Sequence, residues 1–357
     1  MSLGHGASIV RDGLILQLDA DNIKSFPGSL GPELVTNPTL LEQDGSTAKV
    51  TDAQSLALCS VEADAYYFID YGPTTFNSFT APGLFTVDDT FFTALPTNIA
   101  TVQWQFRHKI ILQATTSGTL RITAAGAGAD FDVDKVSVRK ILSGDISTWR
   151  DLSGSGYNAS LQNSANWYSK QFFPGSLDGG AVGFNFDSSY GSYIDCGNIP
   201  EISSSLTGFT CSFWLNEYNS SSYTIASNGN TSGFDQTFLI SLDSNNKFLF
   251  GLGDSNGTDA VVSNTVYNGN SWINAVFTWQ TGEPTKIYIN GELDAVSQTG
   301  SSAVGVADGA QNIRINGSIS SSFTFTGAIS DFYLYSRGLT EAEVAQNFEA
   351  TRGRYGI

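Results

Sequence analysis

A chain of 357 residues is long enough to form two domains with buried cores. Its formal net charge of -17, from 17 Lys plus Arg against 34 Asp plus Glu, repels a phosphate backbone and excludes nucleic acid as an expected partner. Only 14% of residues are charged and 12% are aromatic, with Gly, Ser, Thr and Asn abundant, a balance that predicts an all-β fold of short strands and tight turns.

The opening residues, MSLGHGASIVRDG, lack a basic region followed by an apolar run, so a chain that is not conventionally secreted is expected. No apolar segment approaches the ~20 residues of a membrane span, so a soluble protein without membrane insertion is expected. Alternation over 14–18 predicts a strand with Leu14, Leu16 and Leu18 on one face. Residues 110–112 and 119–123 read as strands, and 76–92 is aromatic with turn residues. Trp149 is expected to anchor a turn. Strands follow at 209–215, 237–242 and 247–252, the last two joined by a turn at 243–246. After 286–289, the pair Asn290-Gly291 signals a type I′ hairpin, because both residues tolerate positive φ. No repeat of fixed period is present, which excludes solenoids and propellers.

The most informative stretch is 325–348. Alternation over 328–335 puts Ile329, Asp331, Tyr333 and Tyr335 on one face and Ser330, Phe332 and Leu334 on the other, as in a strand packed on both sides. A helix start follows: Thr340 and Glu343 form a capping box, Leu339 and Val344 a hydrophobic staple. Val344 and Phe348 share one helix face, and Gly353 is expected to stop the helix.

Cys59, Cys196 and Cys211 make an odd count, so buried free thiols are expected, with a Cys196–Cys211 bridge left open. His5 and His108 are the only histidines, too few for a Ser-His-Asp triad or a histidine-rich metal site, and His108 reads as a polar strand residue. The Gly-rich piece at 126–130 lacks the lysine of a phosphate-binding loop and reads as a turn.

The order Phe-x-Gly-x-Ile-x-Asp, an aromatic strand, then Tyr-x-Arg-x-Leu-Thr-x-x-Glu-Val resembles the end of laminin-G-like domains of the concanavalin A-like superfamily. Residues 209–215 (FTCSFWL), 272–279 (WINAVFTW) and 287–292 (IYINGE) fall in that family's order. The whole is similar to the version found in virion proteins of tailed bacteriophages. In that pattern a first motif runs straight into a second, whereas here the first half ends at 25–28 (SFPG) and the second begins at 149–156 (WRDLSGSG). The resemblance therefore implies an inserted domain. Its ends, 33–37 and 129–141, resemble those of jelly-roll carbohydrate-binding modules, although the aromatic residues usual after the opening Asn are missing. The expected architecture is all-β: a concanavalin A-like β-sandwich (jelly roll) split into 1–30 and 145–357, an inserted second sandwich at 31–144, and a short C-terminal helix.

The resemblance implies a non-enzymatic virion structural protein, decorating a capsid or forming part of a fibre, with a glycan-adhesive surface. Expected partners are other virion proteins, host-surface or environmental glycans, and further copies of the chain. The expected location is the virion surface, the protein being made in the host cytoplasm and released by lysis. Two alternatives are a bacterial glycan-binding surface module and a glycoside hydrolase or lyase on the same fold. For the enzyme, Glu292 and Asp294 mimic part of a catalytic Glu-x-Asp-x-x-Glu strand, but Val296, Ser297 and Gln298 follow and the second glutamate is missing. No catalytic residue or obligate cofactor is assigned. Related jelly rolls often carry calcium at the rim, and Asp187, Asp254, Asn256 and Asp259 are the candidate ligands. Asp331 reads as a buried partner for loop backbone groups rather than a ligand.

Overall fold

The structure is a computed structural model. It describes residues 8–20, 22, 24–25, 30–37, 48–51, 55–78, 83–87, 90–91, 108–124, 130–142, 147–162, 184–186, 193–203, 205–217, 223–228, 238–254, 257–267, 269, 271–297, 312–317 and 327–357. In chain order the described strands begin with β1 (Leu14–Asp19), β2 (Leu30–Glu33), β3 (Ala48–Thr51), β4 (Ser55–Val61), β5 (Tyr66–Ser78) and β6 (Gly83–Val87). They continue with β7 (Thr90–Phe91), β8 (His108–Gln113), β9 (Gly118–Ala124), β10 (Asp130–Ile141), β11 (Thr148–Trp149) and β12 (Ala159–Gln162). Next come β13 (Phe184–Phe186), β14 (Tyr193–Asp195), β15 (Gly208–Glu217), β16 (Tyr223–Ser227), β17 (Phe238–Leu242) and β18 (Lys247–Asp254). The last are β19 (Gly257–Val266), β20 (Ile273–Gln280), β21 (Lys286–Ile289), β22 (Glu292–Val296), β23 (Arg314–Ile315) and β24 (Gly327–Tyr335), followed by helix α1 (Glu341–Thr351) and a 3-10 turn (Arg352–Arg354).

Four antiparallel sheets result. One has the order β1-β24-β15-β20-β21-β22, with β13 also on β24, and a second has the order β11-β12-β14-β23-β16-β17-β18-β19. These two stack through Phe209 on Phe238 at 4.9 Å and Phe277 on Phe250 at 5.4 Å, which makes a concanavalin A-like sandwich. Strands β2 to β10 form the other two sheets, β2-β10-β5-β8 with β3 on β10, and β4-β9-β6-β7. Buried Leu58, Leu120 and Ile122 on one and Tyr67, Ile69 and Val138 on the other belong to the same continuous apolar cluster as the larger sandwich.

The strand expected at 14–18 and the strand expected at 328–335 form, but one extra residue in each changes which side chains meet. Phe213 pairs with Phe332 and Leu215 with Ile329, so β24 carries one more residue than β15 across that interval, a β-bulge at 330–331. Ile329 therefore joins Phe332 and Leu334 in the sandwich core, while Ala328, Asp331, Tyr333 and Tyr335 are on the opposite face. A second bulge lies between Leu14 and Leu16. It separates Leu14 from Leu16 and Leu18, so the expected single face is split.

Helix α1 covers the outer face of the seven-stranded sheet. The expected capping box is present: Thr340 Oγ1 accepts from Glu343 N at 3.3 Å, and Glu343 Oε2 accepts from Thr340 N at 2.9 Å. Leu339 and Val344 are buried together with Tyr333 and Tyr335. Phe348 packs apart from Val344, stacking on Trp214 with ring centroids 5.8 Å apart. Gly353 does not stop the helix, which tightens into the 3-10 turn instead; the left-handed residue is Gly356 at φ 71. The chain start is tied to this helix, Val10 N donating to Asn347 Oδ1 at 2.7 Å and the Tyr335 hydroxyl to Val10 O at 3.2 Å.

The hairpin at Asn290-Gly291 has φ of 49 and 83, as a type I′ turn requires. Asp243 organises the 243–246 turn by accepting from Asn245 N and Lys247 N at 2.8 and 2.9 Å. Strands β8 and β9 contain the expected 110–112 and 119–123. Trp149 is fully buried, and the two motif halves around 25 and 149 are stitched together by Arg150 N to Ser25 O and Leu152 N to Gln17 O, both 2.8 Å. Asp151 holds this crossing, accepting from Gln17 N, Ser153 N and Gly156 N at 2.8–2.9 Å. All three cysteines are free, Cys196 and Cys211 buried and Cys59 partly so. Burial pushes the Cys59 thiol up to about 11. His5 lies outside the described residues, and His108 begins β8 opposite Tyr71.

Candidate functional site

The two large sheets differ in what lies on their outer faces. Tyr333, Tyr335, Trp214 and Trp272 on the seven-stranded sheet are buried beneath α1 and the C-terminal turn. On the eight-stranded sheet, alternation turns Ile194, Ile240, Phe248, Phe250 and Val261 inward and leaves a second set outward. Register aligns the outward set into one row across all eight strands: Thr148, Ser160, Asp195, Arg314, Ser227, Leu239, Gly251 and Ala260. At about 4.8 Å per strand, seven steps span roughly 34 Å. All but Ser227 and Gly251 are partly or fully exposed.

One half of this face is polar and preorganised. Asp195 Oδ2 accepts from Asn312 Nδ2 at 3.1 Å and its Oδ1 from Gly197 N at 2.8 Å. Gln162 Nε2 donates to Ser160 Oγ at 2.9 Å. The Arg314 guanidinium lies 4.4 Å from the centre of the Tyr193 ring. Planar amide, carboxylate and guanidinium groups beside an aromatic ring can present paired donors and acceptors to vicinal hydroxyls and an apolar flat to C–H groups. The other half is apolar, with Leu239, Leu249, Ala260 and Val262 outward.

At the far edge, β19 and β22 flank a groove of about 450 Å³ lined by Val262, Asn264, Leu293, Asp294 and Val296. Its acid is already engaged. The Asp294 carboxylate accepts from Asn264 N at 2.6 Å, from Thr265 N at 3.1 Å and from the Thr265 hydroxyl, bridging the two sheets at their rim. Glu292, two residues earlier, is exposed.

Of the candidate calcium ligands, Asp187 and Asn256 lie outside the described residues, as does the side chain of Asp254. Asp254 and Gly257 are opposite one another at the close of the β18–β19 hairpin. Asp259 is buried, its Oδ2 accepting from the Thr285 and Ser297 hydroxyls at 3.0 and 3.2 Å. Among the described residues no group of three or more His, Cys, Asp or Glu side chains is placed to hold a metal. Asp331 is buried as expected, but what it faces is Asp19 and Arg354 rather than loop backbone. The outward row is not visible in the sequence, because its members come from segments far apart in the chain; the only local trace is the apolar–polar alternation of 159–162 and 193–195.

Residues 188–345 match the family model Laminin_G_3, described as the concanavalin A-like lectin/glucanases superfamily, which supports a laminin-G-like domain over that stretch. Among curated proteins, human adhesion G-protein coupled receptor D1 is 28% identical over 90 residues, covering 25% of this chain and 10% of the receptor. Among solved structures, the binding domain of botulinum neurotoxin DC in complex with rat synaptotagmin II is 22% identical, with a TM-score of 0.41 over 58% of this chain and 50% of that one. The binding domain of Paraclostridial Mosquitocidal Protein 1 is 19% identical, with a TM-score of 0.43 over 58% and 50%. The chain thus spans about half the length of these toxin domains and a tenth of the receptor.

Proposed function

We propose that this protein is a non-enzymatic glycan-adhesive module, and that the outer face of the eight-stranded sheet is where the glycan lies. The observation that carries this reading is the polar and aromatic half-row of Gln162, Ser160, Tyr193, Asp195, Arg314 and Asn312, held in register on a rigid sheet while the opposite sheet is closed by α1. Neutral oligosaccharides suit it better than anionic ones, since the chain's charge of -17 repels the latter. The resemblance to tailed-phage virion proteins supports a place on a capsid or fibre, beside other virion proteins and further copies of this chain. It also supports reading 31–144 as an inserted jelly-roll-like domain within a host of 1–30 and 145–357. The Cα pairing of Leu30 with Ile141 brings the ends of that segment side by side.

Binding of the purified protein to a panel of neutral and acidic polysaccharides tests the reading. Tyr193→Ala and Arg314→Ala should each weaken binding at least tenfold, about 1.4 kcal/mol, with unchanged thermal unfolding. Full binding in both variants would refute the assignment of the face. Release of reducing sugar that disappears in Glu292→Gln would instead identify an enzyme, a reading disfavoured by the engagement of Asp294. Mass spectrometry of purified phage particles from the source tests the virion placement.

A further inference from the structure

The rim where both large sheets end is apolar and open, and glycan adhesion makes no use of it. β19 is the last strand of the eight-stranded sheet and β22 the last of the seven-stranded one, and Asp294 ties the two together. Val262, Val266, Leu293 and Val296 lie on these strands and are 38–45% exposed; among the described residues the other large apolar side chains so open are Leu142 and Ile357, elsewhere in the molecule. Free sheet edges are ordinarily guarded by lysine or proline. The exposed positions of β19 from 260 onward are Ala260, Val262, Asn264, Thr265 and Val266, with no charge and no proline among them.

The backbone of this edge is set up for pairing. Asp243 N donates to Lys247 O, which fixes the alternation along β18: residues 247, 249 and 251 turn their N–H and C=O groups toward β17, and 250, 252 and 254 turn theirs toward β19. The partners of the second set are Val261, Asp259 and Gly257, so 258, 260 and 262 point their groups away from β18, past the edge of the sheet. Beyond 262 the strand bulges, and the Asp294 carboxylate takes the amides of Asn264 and Thr265, so the open ladder is confined to 258–262.

An antiparallel strand of the same sequence fits that ladder. With a two-fold axis through Ala260, residue 260 faces its own copy and 262 faces 258, so all three positions exchange N–H and C=O groups, and the residue on the axis carries only a methyl group. Asp294 lies beside Thr265 and Ser297 beside Asp259, which puts the exposed Glu292 at the Val266 end; the axis carries its two copies to opposite ends of the seam. A strip as long as the ten residues of β19, about 34 Å, and about 20 Å deep through both sheets covers roughly 700 Å² on each copy, close to the about 800 Å² per partner of a specific interface. We propose that this rim is a self-association surface: two copies pair β19 with β19 about Ala260 and pack Val262, Leu293 and Val296 between them, a closed dimer in which the two eight-stranded sheets join into one. On the glycan reading above, the joined sheet would carry two binding rows on one face and gain avidity, but the pairing itself does not rest on that reading. Each copy carries a formal charge of -17, so association works against repulsion and strengthens as salt screens it.

Sedimentation velocity of the full chain, from low to high micromolar protein and at low and high salt, reads the pairing with no glycan present. A monomer–dimer equilibrium that tightens with salt and goes no further is expected. Ala260→Pro removes an N–H that β18 leaves unpaired, and Val262→Lys puts a charge in the seam; each should weaken the dimer at least tenfold, with thermal unfolding of the monomer unchanged. A chain that stays monomeric throughout, oligomers that keep growing with concentration, or a dimer that both variants form as well as the wild type would overturn the proposal. Should Ala260→Pro fail to fold, Val262→Lys decides alone, since that side chain already reaches solvent.

Discussion

The turn residue Gly291 gives a sharp test of how α1 docks, because two separate constraints meet there. Its φ of +83 is one that an L-residue reaches only at a cost of about 1–2 kcal/mol. A Cβ at this position would also meet Phe348 Cδ1 at 2.9 Å and Cγ at 3.0 Å, inside the closest contacts such atoms make. Phe348 cannot simply swing aside, since its ring stacks on Trp214. Overpacking of this kind costs about 1–3 kcal/mol, so Gly291→Ala should destabilise by about 2–5 kcal/mol in all. In a Phe348→Ala background the two ring contacts are gone and only the Cβ of residue 348, at 3.1 Å, remains, so the cost should fall toward the backbone value of about 1–2 kcal/mol. Phe348→Ala alone should cost no more than about 3 kcal/mol, because the ring is only partly buried. Urea unfolding of the four proteins, followed by tryptophan fluorescence, closes the cycle. Equal costs for Gly291→Ala with and without Phe348 would show that the helix does not rest on the hairpin, and the docking argument would fail.

Replacing 31–144 with a short Gly/Ser linker should leave the larger sandwich folded, since Leu30 and Ile141 are cross-strand partners and a few residues bridge such a gap; a molten or aggregated product, detected by near-UV circular dichroism and light scattering, would count against the boundary and implicate the shared apolar cluster. Thr340→Ala should cost about 1 kcal/mol by thermal or urea unfolding. The capping box is also acid-sensitive. Hydrogen bonding from Arg337 holds Glu343 down to about 2, so the stability that it supplies is present above the usual glutamate range and is lost as the pH falls through it toward 2. Arg337→Ala should flatten that acid limb of a stability–pH profile, and an unchanged limb would place the acid sensitivity elsewhere.

Much of the C-terminal architecture is legible in the sequence because it rests on local chemistry. The Thr340–Glu343 box and the Asn290-Gly291 turn are each specified within four residues, and both form. The all-β class follows from composition and alternation for the same reason. What the sequence does not reveal is where alternation slips. A bulge adds one residue to one strand, and its position depends on a partner strand far off in the chain, about 115 residues away for Ile329 and about 320 for Leu14, so the faces that form differ from those expected. The partner of Asp331 was likewise out of reach, being an arginine placed by the tertiary path of the last turn. Asp294 looked like half of a catalytic pair on its own strand; only the approach of β19 shows that backbone amides already occupy it.

The antiparallel pairing of β1 with β24 also sets how the molecule would respond to mechanical load. Leu14 lies opposite Tyr335, so the start of the first strand and the end of the last are neighbours at one corner of the sheet. Pulling residues 8–10 away from the C-terminal turn would open that ladder like a zipper, one hydrogen bond at a time, rather than shear all of its bonds together. The contacts that bear the force first are the Val10–Asn347 and Tyr335–Val10 hydrogen bonds and the Arg337–Asp12 ion pair at 2.9 Å. A load applied across the eight-stranded face would pass through a different set of strands and leave this corner closed.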